Sequence, residues 1–157
     1  MQEVSQGQEM TLRHHCITAG LAWDIEQGRK ADLDTSVVAV DNYGNILIDE
    51  TVYDENLANT NASIQHLGDE TTGELKGDDE SLLINLDRIP SHVMVLYFLL
   101  TVATPGMTFE DVKSARVRLL STDENAGLCR YVPSSMGQTS ALFLARLSRC
   151  PDSLNKI

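Results

Sequence analysis

The chain has 157 residues, of which 42% are hydrophobic, and it carries a formal net charge of −11. This length and this apolar content suffice for one domain with its own core. The negative charge argues against a surface that binds phosphate groups, and therefore against direct recognition of nucleic acid.

Short apolar runs separated by turn residues predict an antiparallel β-sandwich of about eight strands, because no long segment has a helical period. In chain order, strands are predicted at residues 16–23, 36–40, 46–48, 81–86, 93–103, 115–121, 128–132 and 140–147. The second and third flank a turn with Asn42 and Gly44, which is typical of a hairpin. The run 93–103 is too short for a comfortable membrane span and predicts a strand buried on both faces. One helical turn is predicted within residues 109–115.

Two features predict a cytoplasmic location. Residues 1–9 are polar and contain no apolar segment of the kind found in signal peptides. The three cysteines, Cys16, Cys129 and Cys150, are odd in number, far apart and without a CxxC motif. This pattern favours a reducing compartment over a disulfide framework.

The negative charge is concentrated in residues 49–80, which contain ten acidic residues and one lysine. Acids this dense repel one another, so either the segment is a solvated loop or a cation lies among the carboxylates. A structureless loop of this length is uncommon in a compact domain. The segment also holds apolar residues spaced as anchors would be, namely Val52, Tyr53, Leu57, Ile64 and Leu67. Bound metal is therefore one way in which it would become ordered.

The oxygen-rich side chains of this region suit calcium, which takes six to eight oxygen ligands. Asp32 and Asp34 are two residues apart, so they share one side of an extended chain. The other candidate donors are Asp78, Asp79 and Glu80, with the amides of Asn56, Asn59 and Asn61. An EF-hand starting at Asp32 is excluded, because Val37 and Tyr43 stand where glycine and glutamate are required. A calcium site here would be assembled from separate loops.

Five stretches carry a resemblance to a known family: GLAWD (20–24), DLDTS (32–36), Asn56-Leu57, HLGDETTGELKGDDES (66–81) and INLDRIP (84–90). Together they resemble the tellurium-resistance family of the TerD type, over roughly residues 10–148. The resemblance implies a β-sandwich that binds calcium in an acidic pocket formed by loops. Relatives include calcium-binding proteins of the stress response, and bacterial members accompany resistance to tellurite, phage and colicins.

The ligands that the resemblance implies are Asp32, Asp34, Asn56, Asp69, Asp78, Asp79 and Glu80. Seven such groups exceed the needs of one ion, so two neighbouring calcium ions are expected. Gly68, Gly73 and Gly77 would shape the loops. His66 precedes the acidic loop that begins at Asp69 and is expected to cap or orient it.

The sequence departs from the family pattern at three places. Glu55 and Glu70 stand where the family has asparagine, which adds negative charge. The family's final aromatic strand has no counterpart after residue 148, where Pro151 would interrupt a central strand. The expected organisation is a flexible segment at residues 1–9, the sandwich domain at 10–148 and a divergent tail at 149–157.

The sequence therefore predicts a non-enzymatic, calcium-binding protein that acts in the stress response through protein partners. No catalytic set is recognisable, since residues 134–140 lack the elbow motif of serine hydrolases. The first alternative is an acidic interaction module that needs no metal. The second is a metal-dependent enzyme in which a carboxylate activates bound water.

Overall fold

The structure is a computed structural model that describes residues 1–25, 31–68, 79–133 and 136–149. These residues form nine strands, Gln2–Glu3 (β1), Cys16–Ile25 (β2), Leu33–Val40 (β3), Ile64–Gly68 (β4), Glu80–Asn85 (β5), Val95–Val102 (β6), Val112–Ser121 (β7), Ala126–Tyr131 (β8) and Ala141–Ser148 (β9). The strands make a six-stranded sheet in the order β1-β8-β7-β2-β5-β4 and a three-stranded sheet in the order β3-β6-β9. All neighbours are antiparallel except β1 and β8. The prediction of an all-β sandwich is confirmed.

The core lies between the two sheets and is built from alternating residues of the central strands. Along β3, every second residue from Leu33 to Ala39 is buried, while the residues between them are partly exposed. Leu82 and Ile84 of β5 are fully buried in the same way and belong to the same cluster as Leu100 of β6. This period of two is what a strand with one face on a core requires.

β6 corrects the prediction of a strand buried on both faces. Its burial alternates, with Leu96, Phe98 and Leu100 in the core and Tyr97 and Leu99 partly exposed. In a two-layer sandwich each sheet has one outward face, so the apolar run 93–103 cannot be covered on both sides. The outward ring of Tyr97 instead packs edge-on against Phe143 of β9, with ring centroids 5.7 Å apart.

The region after β3 also differs from prediction. Residues 46–48 do not form the second strand of a hairpin: Ile46 makes one isolated bridge to Val40, and Ile48–Glu50 is a short 3-10 helix. The chain then returns to the edge of β3, where Val52 and Val37 exchange both backbone hydrogen bonds, at 2.8 and 2.9 Å. Protein contacts therefore order this part of the acidic segment.

A buried polar network holds residues 50–64 in place. Glu50 is only 4% exposed, and its carboxylate accepts hydrogen bonds from Asn59 Nδ2 (2.9 Å) and Thr60 Oγ1 (2.5 Å). Asn59 also donates to Ser63 Oγ and accepts from the backbone N–H of Ile64. Of the five predicted apolar anchors, Val52 and Ile64 are fully buried, Tyr53 is partly buried, and Leu57 and Leu67 are about half exposed.

At the chain ends, Gln2–Glu3 lies within the segment expected to be flexible, and it pairs with β8 as β1. Of the predicted tail, residues 150–157 lie outside the described residues. Cys16 and Cys129 carry free thiols, and burial raises the pKa of the Cys129 thiol, which disfavours its reactive thiolate. No helix in the described ranges is long and apolar enough to cross a membrane.

Candidate functional site

The candidate site begins where the side chains on the core-facing side of β5 change from apolar to acidic. Ile84 and Leu82 face the core, and Glu80, two residues further back, occupies the next position on the same face. Its cross-strand partner on β2 is the buried Leu21. On the other side, His66 of β4 lies opposite Leu82. The sandwich interior therefore ends in an acid and an imidazole.

Glu80 and His66 link the two sheets. Glu80 Oε2 accepts a hydrogen bond from the backbone N–H of Thr35, at 3.0 Å, and lies 3.2 Å from His66 Nε2. Thr35 belongs to β3 of the other sheet, and its N–H faces the edge of β3 that turns away from β6. The two side chains are largely buried, with 14% of Glu80 and 9% of His66 exposed.

Asp79 caps the neighbouring strand in a similar way. Its backbone N–H donates to the carbonyl of Leu21, at 2.8 Å, and its Oδ2 accepts from the backbone N–H of Trp23, also at 2.8 Å. The pairing of β2 with β5 ends at Leu21, so among the described residues Trp23 has no strand partner on that side. The carboxylate therefore satisfies a backbone donor that the sheet leaves unpaired.

Asp34 lies among like charges at this end of the sandwich. Its pKa is raised from its ordinary value, first by burial and then by the negative charges of Asp32, Asp54 and Glu80, while His66 acts in the opposite direction. Asp32 directly precedes β3 and Asp34 is its second residue. Acids from three separate parts of the chain therefore lie close enough to Asp34 for their charges to act on it.

Asp54 is the acid that the sequence did not single out as a ligand. It lies in a tight turn closed by reciprocal backbone hydrogen bonds between Tyr53 and Asn56, at 3.0 and 3.1 Å. Asn56 Nδ2 donates to the carbonyl of Thr51 at 2.7 Å, so this predicted ligand helps to hold the turn that carries Asp54. No local signal in the sequence distinguishes Asp54 from the other acids of residues 49–80.

The other amides proposed as oxygen donors have structural partners. Asn59 is buried in the network around Glu50, as described above. Asn61 Nδ2 donates to the carbonyl of Arg88 at 2.8 Å, and its Oδ1 accepts from the backbone N–H of Ser63 at 3.1 Å. The predicted ligands Asp69 and Asp78 lie outside the described residues, between Gly68 at the end of β4 and Asp79.

The donor chemistry fits calcium, although the described residues alone do not complete a site. Among them, no group of three or more histidine, cysteine or acidic side chains is arranged to hold a metal ion. The acids around Asp34 supply the hard oxygen atoms that calcium prefers. Burial raises the pKa of Asp34 most, and the neighbouring negative charges raise it further; a bound cation would relieve this second effect.

Comparisons with known proteins agree with the fold and with the sequence motifs. The TerD domain model matches residues 1–154. The tellurium resistance protein TerD of Serratia marcescens is 33% identical over 135 residues, which cover 81% of this chain and 70% of that protein. General stress protein 16U of Bacillus subtilis is 31% identical over 122 residues, which cover 73% of this chain and 63% of that protein.

Solved structures show the same fold at low sequence identity. A Streptomyces coelicolor homologue of the telluride resistance protein TerD superposes with a TM-score of 0.65 at 17% identity, covering 88% of this chain and 83% of that one. A crystal structure of a protein of unknown function gives a TM-score of 0.70, with the same identity and coverage. Taken with the family match over nearly the whole length, these similarities show that the chain belongs to the TerD domain family.

Proposed function

We propose that this protein is a non-enzymatic calcium-binding protein of the tellurium-resistance and stress-response type, acting in the cytoplasm. The observation that carries the proposal is the environment of Asp34 at one end of the sandwich, where burial and then the charges of Asp32, Asp54 and Glu80 raise the pKa of its carboxyl. Acids from distant parts of the chain are brought together there at an electrostatic cost, and a divalent cation would remove that cost.

The proposed ligands are the acids that meet at this end, together with the loop acids implied by the family resemblance. Asp32, Asp34 and Glu80 would hold calcium, with Asp54 as an addition from the structure. Asp78, Asp79 and Asn56 are added from the oxygen-rich sequence and the resemblance, and Asp69 from the resemblance alone; the full set suits two ions. Calcium would supply positive charge, and the neutralised surface would be recognised by a protein partner.

A second candidate is an acidic interaction module that works without metal. It is favoured by the contacts of Asp79 and Glu80, since each carboxylate already accepts a backbone N–H from a neighbouring strand. Both acids therefore have a structural role whether or not an ion is present. In that case the exposed acids would bind a basic partner directly.

Thermal unfolding of metal-stripped protein distinguishes the two. Calcium at a hundredfold excess over its dissociation constant should add about 2.7 kcal/mol, which raises the Tm of a chain of this size by roughly 5–10 °C. Magnesium should raise it less, because it demands a smaller octahedral site. The double variant D32N/D34N should lose the calcium shift.

The control is Glu124→Gln, which removes one negative charge in the other, six-stranded sheet, at the end of the sandwich away from Glu80, and should keep the shift. Glu124 follows β7, near the first residues of β2, and its carboxylate is 65% exposed. An absence of any calcium shift in folded wild-type protein would contradict the proposal and favour the metal-independent module.

A further inference from the structure

Two hydrogen bonds between His66 and other described residues indicate which of its ring nitrogens carries the proton. The backbone N–H of Gly68 donates to Nδ1, at 3.0 Å, so Nδ1 must present its lone pair. The proton of the neutral ring is therefore on Nε2, which lies 3.2 Å from Glu80 Oε2. In this tautomer His66 donates to the carboxylate of Glu80.

The local backbone makes this arrangement possible. The pairing of β4 with β5 shifts between His66 and Gly68, which leaves Leu67 as an extra, half-exposed residue in a β-bulge. Gly68 has a φ of +72°, a conformation that other residues rarely adopt. The bulge brings the N–H of Gly68 back onto the imidazole of His66. The ring is therefore held from both sides, directly before the acidic residues that begin at Asp69.

The two oxygens of the Glu80 carboxylate consequently differ. Oε2 accepts both the N–H of Thr35 and the Nε2–H of His66. Among the described residues, no hydrogen bond reaches Oε1. The Glu80 side chain is thus fixed between the two sheets: Oε2 is held by two hydrogen bonds, and Oε1 by none from the described residues.

We propose that His66 is a positioning residue, which holds Glu80 so that it offers a single oxygen, Oε1, to calcium. The inference rests on the proposed calcium site and deepens it, because it assigns a coordination mode to one ligand and a supporting role to a residue that does not touch the ion. Groups that orient metal ligands in this way affect affinity without contributing a ligand atom.

The test compares calcium affinity in variants that keep a hydrogen-bonding group near the position of Nε2, near that of Nδ1, or at neither. Calcium binding is measured by calorimetry and by competition with Tb³⁺, whose emission we expect Trp23, the one tryptophan of the chain, to sensitise. His66→Phe removes both hydrogen bonds and should weaken calcium binding by about 10- to 100-fold. His66→Gln places an amide donor near the position of Nε2 and should restore affinity to within about threefold of wild type.

His66→Asn places its amide near the position of Nδ1, where it can accept from Gly68 but cannot reach Glu80, so it should bind as weakly as the Phe variant. The control is His15→Phe, since His15 Nδ1 lies 2.7 Å from Asp87 on an exposed surface at the other end of β2. It should leave the affinity unchanged. If His66→Phe does not fold, the comparison of the Gln and Asn variants decides.

A double-mutant cycle with Glu80→Gln separates positioning from general stability. If His66 acts through Glu80, adding His66→Phe to Glu80→Gln should weaken calcium binding no further. Equal affinities in wild type and His66→Phe, or equal rescue by Asn and Gln, would overturn the inference and leave the calcium site standing. Failure of wild-type protein to bind calcium would overturn the calcium site, and the role of His66 with it.

Discussion

Replacing Asp34 by asparagine should stabilise the metal-free protein. Burial raises the pKa of Asp34 most, and three like charges, those of Asp32, Asp54 and Glu80, raise it further. At partly exposed sites each such pair contributes roughly 0.2–1 kcal/mol, so removing one member of three pairs should raise the free energy of unfolding by roughly 1 kcal/mol. For a chain of this size the Tm should rise by about 2–4 °C. The same substitution removes a proposed ligand and should weaken calcium binding.

The effect has a defined pH dependence in the metal-free protein. Because the pKa of Asp34 in the folded state is raised above 3.8, the folded protein binds this proton more tightly than the unfolded chain does. Ionisation of Asp34 therefore lowers stability above its folded pKa, and this loss disappears as the pH falls through that pKa towards 3.8. The Tm advantage of the variant should shrink over the same window.

Thermal melts of wild type and Asp34→Asn in chelator, across a pH series, provide the measurement. Addition of calcium should reverse the order, because only the wild type gains the full stabilisation. The reasoning would be refuted if Asp34→Asn were less stable than wild type in chelator near neutral pH. Such a result would mean that the carboxylate makes a favourable contact that outweighs the repulsion.

Two further predictions concern the supporting structure. Asn59→Ala should lower the free energy of unfolding by roughly 2–4 kcal/mol in urea titrations, because it leaves the buried carboxylate of Glu50 short of a donor. Asn61 is more exposed, so Asn61→Ala should lower it by only about 1 kcal/mol. Equal losses in the two variants would contradict this reasoning. For Asp41, the pKa is lowered chiefly by the hydrogen bond from the side chain of Asn45. Its stabilisation is present above pH 3.8 and is lost as the pH falls through the folded pKa, so the Tm deficit of Asp41→Ala should shrink in acid; a deficit independent of pH would count against it.

Much of the architecture could be predicted from the spacing of apolar residues, but two segments were predicted wrongly. Alternation in β3 and β7 reports a single buried face, which holds in any sandwich. The run 93–103 is apolar on both sides, and the sequence cannot show that the outward residues of β6 stay partly exposed in the part of the chain that the structure describes. Residues 46–48 are apolar enough for a strand, but the chain there turns into a 3-10 helix.

For the candidate site, the motif resemblance identified Asp32, Asp34, Asp79 and Glu80 as residues of one region. It could not identify Asp54, because nothing in its local pattern distinguishes it from other acids of residues 49–80. Its proximity to Asp34 depends on the Tyr53–Asn56 turn and on the bridge between Val52 and Val37.

The sequence by itself determined the β-rich class, the family and the concentration of negative charge, because these depend on residue type and on spacing along the chain. The tertiary structure decided which acids meet, which carboxylate oxygens are already committed to backbone N–H groups, and the hydrogen-bonded position of His66 beside Glu80. These features depend on strand register and on a bulge at Gly68. Register is set by the packing of two sheets against each other, and contacts between residues far apart in the chain leave no local pattern.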